Sequence, residues 1–541
     1  MRHIQENKGY ALKAGALSRR SIVFVHRQRV LLLLVLLFVL LASRRWSQLA
    51  SPQVWDEEGA MIGGFLEHGW NDLLRPLNGY LLLVPKLIVG VSLAVSLSHY
   101  PAVATGLAWA VILAVGLAVA LSPTHLRARA ACAVAVFAVP TDPEVFGLAL
   151  YTFWWASILV LLLAVWDERR PAVALRLAYL AAGGLSSPVI VAVLPVLYFR
   201  AWRFRERRAE VGIALAATAV CAVQLHFVAL GHAGHLPPPG SVLRNVVPKL
   251  LGGFAVGDLV SSAAVMWLSG TVLSVAVAAW CFRDRRNPAA WTLLFLLAGA
   301  VALSVSRVDP GIINQRFAGP RYFFFPFVLE SWILIQAASG PRLRLSGMLA
   351  VLLLGLAAVN AVPAWRRTHV DLHWAEHVRS AACFPDYAVP IEFDGNPLST
   401  WSIREPGDIW MEALGGAHLI PTGDLESLPT YPFRVVADGD PGAEGPGPRA
   451  VVSRASRGPV GMELTLRLRR GDRVRFRSGG PGGRARMHVD GCEGAFIEDL
   501  PRTGGWVTLE FSNSRLPADF ALTVDGDERG MGEWAPIKAS Y

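Results

Sequence analysis

The sequence predicts a polytopic α-helical membrane protein of about eleven spans that carries a C-terminal all-β sandwich domain. Three observations predict it. Of 541 residues, 53% are hydrophobic and only 17% are charged, with a mean hydropathy of +0.41, where soluble domains carry about 25% charged residues. Apolar runs of near-spanning length recur from residue 30 to about residue 363, and the connectors between them alternate between basic and not. From about residue 370 the apolar runs shorten while Gly, Pro, Asp and Arg rise.

The first 29 residues form a basic arm. Within the first 30, Arg2, Lys8, Lys13, Arg19, Arg20, Arg27 and Arg29 face a single acid, Glu6. Only Tyr10 and Phe24 interleave these charges, too few aromatics for a nucleic-acid groove, so the arm reads as a cytoplasmic anchor. The run Val30–Ala42 follows. A signal peptide would have a shorter basic region and small residues at a cleavage site, but "SRRWSQ" follows here; the run therefore reads as an uncleaved first span.

Further apolar runs lie near 100–121, 128–140, 146–165, 171–184, 186–200, 209–230, 259–281, 289–306, 321–338 and 344–363. The connectors "HLRAR", "DERR", "RAWRFRERR", "RDRR" and "PRLR" are basic and should face the cytoplasm. They alternate with "TDPEVFG", a Gly/Ser turn near 184–187, "GHAGHLPPPG" and "RVDPGIINQRFAGP". The alternation requires that 79–97, which carries Pro85 and Lys86, is interfacial or re-entrant rather than a crossing. The transmembrane domain then covers 30–368, with the N-terminus inside and outer loops at 44–99, 141–147, 231–258 and 307–320. Arg44, Arg45, Arg366 and Arg367 fall on the outer side and count against the scheme. Met61, Ile62, Phe65 and Leu66 are spaced as on an interfacial helix in the first outer loop. The 231–258 loop reads as a lid over a ligand at the membrane surface.

Residues 369–541 form the extracytoplasmic β-sandwich domain. "GMELTLRLRRGDRVRFRS", "GRARMHVDG", "GWVTLEFS" and "ADFALTVDG" alternate with period two between Gly/Asp turns. Trp506 and Trp534 fit either a sugar-stacking surface or the domain core. Cys132, Cys221 and Cys281 lie in apolar runs as packing residues, whereas Cys383 and Cys492 fall in the C-terminal region, where an oxidising compartment would let them pair.

The threading puts a charged constellation on the outer side. Asp56, Glu57 and Glu58 follow the first span; Asp142 and Glu144 flank Pro143 in the next short loop; Arg307, Asp309, Arg316 and Arg321 lie between the ninth and tenth spans, with Lys86 near the same surface. Acids at 56–58 also suit the N-terminus of a solvated helix, so both readings stand. Carboxylates there can act as a general base toward a hydroxyl acceptor, and arginines can hold phosphate in bidentate fashion. Tyr322 opens the aromatic start "RYFFFP". HExxH, GxSxG and Walker A patterns are absent, and His232 with His235 lack a third metal ligand.

With "WDEEG", "GYLLLVPK", "TDPEVFG" and "PRYFFFP" in these places, residues 20–365 resemble the GT-C superfamily of integral-membrane glycosyltransferases. They are similar in particular to bacterial membrane proteins with a W-x-[ED]-[ED]-G loop and a downstream G-Y-x-x-x-x-P-[KR]. The resemblance implies transfer of a hexosyl or pentosyl unit from a polyprenyl-phosphate sugar to an envelope glycan, lipid or protein at the outer face of a bacterial cytoplasmic membrane. It implies catalytic roles for Asp56, Glu57 or Glu58 and for Asp142 and Glu144. Donor-phosphate contacts carry over to Arg316, Arg321, Tyr322 and Lys86. The lipid-linked donor is a substrate, and a divalent cation is left open. A lipid-linked sugar transporter or flippase and a non-catalytic envelope assembly protein are the competing classes; nucleic acid is not an expected partner.

Overall fold

The computed structural model describes residues 27–383 apart from 231–236, 258, 261, 285–286, 317, 340–344 and 370, together with 388–391, 402–405, 409–410, 413 and the strands from Arg434 onward. Most of the basic arm, His232, His235, Cys492, Trp506 and the side chains of Cys383 and Trp534 lie outside the described residues. The chain divides into two compact units. One comprises Met1–Pro52, Asn71–Val89 and Ala104–His369; the other comprises Gln53–Trp70, Gly90–Val103 and Val370–Tyr541.

The first unit is helical. Helix α1 runs over Arg27–Ala50, and α2 (Glu58–His68) and α3 (Leu83–Val95) follow. Next come α4 (Tyr100–Leu121), α5 (Arg129–Phe137), α6 (Thr152–Ala164), α7 (Val173–Tyr179), α8 (Val189–Arg203) and α9 (Arg208–Leu230). The remaining helices are α10 (Pro239–Asn245), α11 (Gly253–Val256), α12 (Ala263–Arg283), α13 (Pro288–Arg307), α14 (Phe324–Ala338), α15 (Leu345–Ala361) and α16 (Trp374–Cys383). Of these helices α2 and α16 belong to the second unit, and α3 and α4 have residues in both. Among the described residues six helices are long and apolar enough to cross a membrane: α1, α4, α9, α12, α13 and α15. The chain is a helical membrane protein by this measure.

The expected eleven spans are matched only in part. The runs at 128–140, 146–165, 171–184, 186–200 and 321–338 form helices of 9 to 15 residues, α7 being extended by a π-turn over Leu180–Gly184. At about 1.5 Å per residue these reach at most about 23 Å. Packing explains how such short helices are tolerated. In α6 every residue except Trp154 is buried, and α14 is buried from Phe324 to Ala337, so protein rather than lipid covers them. Helix α3, at 13 residues, is likewise short. Its first turn docks through the Leu83 N–H to the Leu185 carbonyl (3.2 Å) and the Val84 N–H to Ser186 Oγ (2.9 Å).

The connectors sort by end. Arg127 pairs with Asp284 (3.1 Å), His125 with Glu168 (2.8 Å), and Arg207 donates to the Glu168 carbonyl (2.6 Å), so four of the basic connectors meet at one end. At the other end of α6, the Asp142 N–H reaches the Gln315 carbonyl (2.9 Å) and Asp142 pairs with Arg367 (2.6 Å).

Two expectations need correction. The 239–256 part of the supposed lid is not loose. It is helical, with Lys249 Nζ donating to the Gly311 (2.6 Å) and Ile313 (3.1 Å) carbonyls and Asn360 Nδ2 to those of Gly253 (2.8 Å) and Phe254 (3.0 Å). The second concerns α2, which forms as its spacing predicts but does not spread its apolar face on an interface. Met61, Ile62 and Phe65 are buried, and a Cβ at Gly59 would come 2.7 Å from Ile391 Cδ1. The helix is packed against protein within the second unit.

Also in that unit, β1 (Val389–Pro390) pairs with β2 (Ser402–Ile403). Further along lie β3 (Arg434–Asp438), β4 (Val451–Val452), β5 (Met462–Arg469), β6 (Arg473–Arg477), β7 (Ala485–Asp490), β8 (Phe496–Asp499), β9 (Val507–Glu510), β10 (Asp519–Gly526) and β11 (Glu533–Ile537). They pair antiparallel in the orders β5-β10-β7-β8 and β3-β9-β6-β11-β4. The four alternating stretches of the sequence supply β5, β6, β7, β9 and β10.

Candidate functional site

The helical unit gathers an arginine–carboxylate cluster from four places: the end of α1, the 138–147 loop, the turn before α14 and the exit of α15. Helix α5 ends at Phe137, and its last carbonyls lack intrahelical partners. Arg44 supplies them. Its Nη1 donates to the carbonyls of Phe137 (3.0 Å) and Val139 (2.9 Å), and its Nη2 donates to that of Thr141. The guanidinium lies over Phe146, 4.2 Å from the ring centroid, and 4.8 Å from that of Trp365. A cation is favoured at a helix C-terminus and over aromatic faces. Arg44 thus folds the 138–147 loop onto α1.

That loop carries Asp142 and Glu144. Asp142 Oδ1 accepts from Arg367 Nη1 (2.6 Å). Burial pushes its carboxyl above the usual range, Arg367 and Arg45 oppose the rise, and Glu144 adds to it. Glu144 Oε1 accepts from Tyr151 Oη–H (2.9 Å) and from Arg321 Nη1 (2.7 Å), and Arg321 Nη1 also reaches Tyr151 Oη (2.8 Å). Glu144 Oε2 is buried and has no hydrogen-bond partner among the described residues. Arg321 sits in the 3₁₀ turn Pro320–Phe323, 5.6 Å from the Tyr322 ring centroid. Tyr322 is tied to α13 through Ser304 Oγ, which donates to its carbonyl (2.8 Å).

The cluster therefore sets four arginines, Arg44, Arg45, Arg321 and Arg367, against two carboxylates. His369 borders it, held well below the ordinary histidine range by burial and by the charges of Arg45 and Arg367. Planar multi-donor guanidinium groups gathered in this way suit a phosphate.

Of the residues singled out in the sequence, Asp142, Glu144, Arg321 and Tyr322 are brought together. Arg316 stands half-buried on the preceding loop, where its N–H meets Asn314 Oδ1 (3.0 Å). Lys86 is committed elsewhere. Its ammonium donates to Asp72 Oδ2 (2.6 Å) and to the carbonyls of Asp72 and Arg75 (2.8 Å for the latter), filling all three donor positions. This makes it a clamp on the 71–75 segment rather than a ready phosphate ligand.

Asp56, Glu57 and Glu58 belong to the second unit. Asp56 and Glu58 are 4% and 2% exposed, so neither is a solvated-loop acid; Glu57 is half-buried. Asp56 takes a left-handed φ of 48°, uncommon outside glycine but best tolerated by Asp and Asn. Glu58 opens α2, and its Oε1 accepts from Tyr100 Oη–H (2.6 Å).

Sequence reading missed Arg44, Arg45 and Arg367 as site residues, along with Tyr151. The signal was present in the arginines that violated the charge rule for outer loops: cations misplaced by topology are cations retained for another task. No family model and no curated protein matches the chain.

Proposed function

We propose that the protein is a membrane glycosyltransferase of the GT-C type, which moves a sugar from a polyprenyl phosphate to an envelope acceptor. The observation that supports this most directly is the meeting of Arg321 with Glu144 and of Arg367 with Asp142 beside a buried carboxylate oxygen, Glu144 Oε2, that has no hydrogen-bond partner among the described residues. Breaking a sugar–phosphate bond leaves negative charge on the departing phosphate, and preorganised cations lower the barrier where that charge grows. A carboxylate takes the acceptor hydroxyl's proton, and burial pushes the carboxyl of Asp142 above its ordinary range, which favours that role. In this reading Arg321 and Arg367 face the phosphate, Arg44 fixes the loop, and Asp142 or Glu144 is the base. The end that gathers the basic connectors faces the cytoplasm, and the C-terminal strands close into a sandwich outside.

The test uses purified full-length protein in lipid nanodiscs with a panel of polyprenyl-phosphate sugars and envelope acceptors. Wild type consumes one donor. Glu144→Gln, Asp142→Asn, Asp56→Asn and Glu58→Gln run beside it, and loss of the base lowers turnover by about 100-fold or more with donor binding retained. If no donor is bound or consumed across a broad panel, the transferase reading fails and transport or assembly takes its place.

A further inference from the structure

A second charged cluster lies at the opposite end of α6 and is independent of the proposed transfer chemistry. Trp155, near the start of α6, donates to the Val145 carbonyl beside the acids, whereas Arg200 Nη1 reaches the Ala164 carbonyl at its last turn (3.4 Å). Arg176 on α7, Arg200 on α8 and Glu210 on α9 meet there, 0%, 6% and 3% exposed. Glu210 Oε1 accepts from Arg176 Nη1 (2.8 Å), and its Oε2 accepts from Arg176 Nη2 (3.2 Å) and Arg200 Nε (3.1 Å).

The cluster does not balance. Among the described residues Glu210 is the one carboxylate that either arginine pairs with. Guanidinium keeps its proton at any physiological pH, so one positive charge is left over in a buried place. Arg176 Nε and Arg200 Nη2 are also buried donors without a hydrogen-bond partner. Buried charges are ordinarily paired and buried N–H groups bonded, because leaving them bare is expensive. Trp166 and Phe204, each with its ring centroid 5.8 Å from a guanidinium, soften the charge without accepting those protons.

The surroundings indicate where the missing anion comes from. Tyr198, Phe199 and Trp202 on the last turns of α8 are 46%, 59% and 68% exposed, and Arg203, Arg205, Arg207 and Arg208 beside them are exposed as well. Exposed aromatics interleaved with arginines mark the depth at which lipid head groups lie, and basic pockets between helices at that depth take anionic heads. We propose that the phosphate of an anionic phospholipid seats at Arg176 and Arg200, supplies the missing negative charge and accepts the leftover N–H donors.

Native mass spectrometry of the full chain, released from nanodiscs of mixed phosphatidylglycerol and phosphatidylcholine, tests this. Wild type should retain phosphatidylglycerol over phosphatidylcholine by about tenfold, the scale of one charge-assisted contact. Arg200→Gln should bring the ratio near unity, whereas Arg203→Gln, at an exposed position, should change it less than about twofold. Glu210→Gln keeps the test decisive if Arg200→Gln fails to fold: removing the internal competitor leaves retention equal to or above wild type. Unchanged retention in folded Arg200→Gln, or loss of retention in Glu210→Gln, overturns the proposal in favour of a closed structural clasp. A parallel thermal-shift arm titrates inorganic phosphate into lipid-stripped protein. Stabilisation by phosphate equal to that by phosphatidylglycerol, with no lipid selectivity, overturns the lipid as the source.

Discussion

Arg367 Nη1 and Asp142 Oδ1 form a 2.6 Å ion pair in the cluster. Arg367→Ala leaves the Asp142 carboxyl with its hydrogen-bonded cation gone in a place where burial already disfavours charge. The expected cost is about 3 kcal/mol of stability, read by denaturation in detergent, with Arg367→Lys recovering part of it. His369 gives a pH signature. Folded, it stays neutral because burial and two arginines hold its pKa down; unfolded, it takes a proton below about pH 6.5. As pH falls through that value the unfolded state binds the extra proton, so stability drops by about 1.4 kcal/mol per pH unit. The difference between wild type and His369→Gln across pH 7 to 5 isolates this slope, and parallel curves would refute it. These roles were half legible. Asp142, Glu144 and Arg321 stand out as charges beside apolar runs, but Tyr151 looks like any aromatic at a span end until its hydroxyl is seen on Glu144.

The 138–147 loop is the element that turns separate charges into a site. Its conformation needs Gly147, whose φ of 74° is left-handed and where a Cβ would come 2.7 Å from Trp109 Nε1. Gly147→Ala should cost about 2 kcal/mol through backbone strain and shift Phe146 from under Arg44, lowering the midpoint in a thermal-shift assay. An unchanged midpoint would show that the loop relaxes freely. Helix α13 illustrates what local sequence decides unaided. Asn287 caps it, its side chain accepting from the Ala289 N–H (3.1 Å), and Pro288 occupies the first turn. By contrast, α6 and α14 read as spans because they are apolar on all sides, and only their burial in the bundle shows why 13 and 15 residues suffice.

At the scale of the molecule, the four described basic connectors meet at one end of the helical unit, and the 141–147 and 307–320 connectors meet at the other end of α6. Single cysteines placed at Arg169, Arg207 and Ile312 in a background without the native cysteines check its orientation. A membrane-impermeant thiol reagent added to intact cells should label the Ile312→Cys protein alone, with the other two labelled only after permeabilisation. The reverse pattern would invert the threading. The full membership of the second unit was not legible. The sequence places the 44–99 loop with the spans, but residues 53–70 and 90–103 group with the C-terminal part, because Ile391 and Ile403, more than three hundred positions away, pack where Gly59 leaves room.

What the sequence by itself determined is local: which segments are apolar helices, which alternate with period two as strands, and which connectors carry the basic charge. These are local properties, summed over short windows, and local physics suffices to state them. What only the tertiary structure decided is which charges share a neighbourhood. Arg44, Asp142, Glu144, Arg321 and Arg367 are separated by up to 323 positions, and no window of the chain contains them together. Their partnership is set by packing, because a buried charge is tolerated only where another part of the chain supplies its counter-charge.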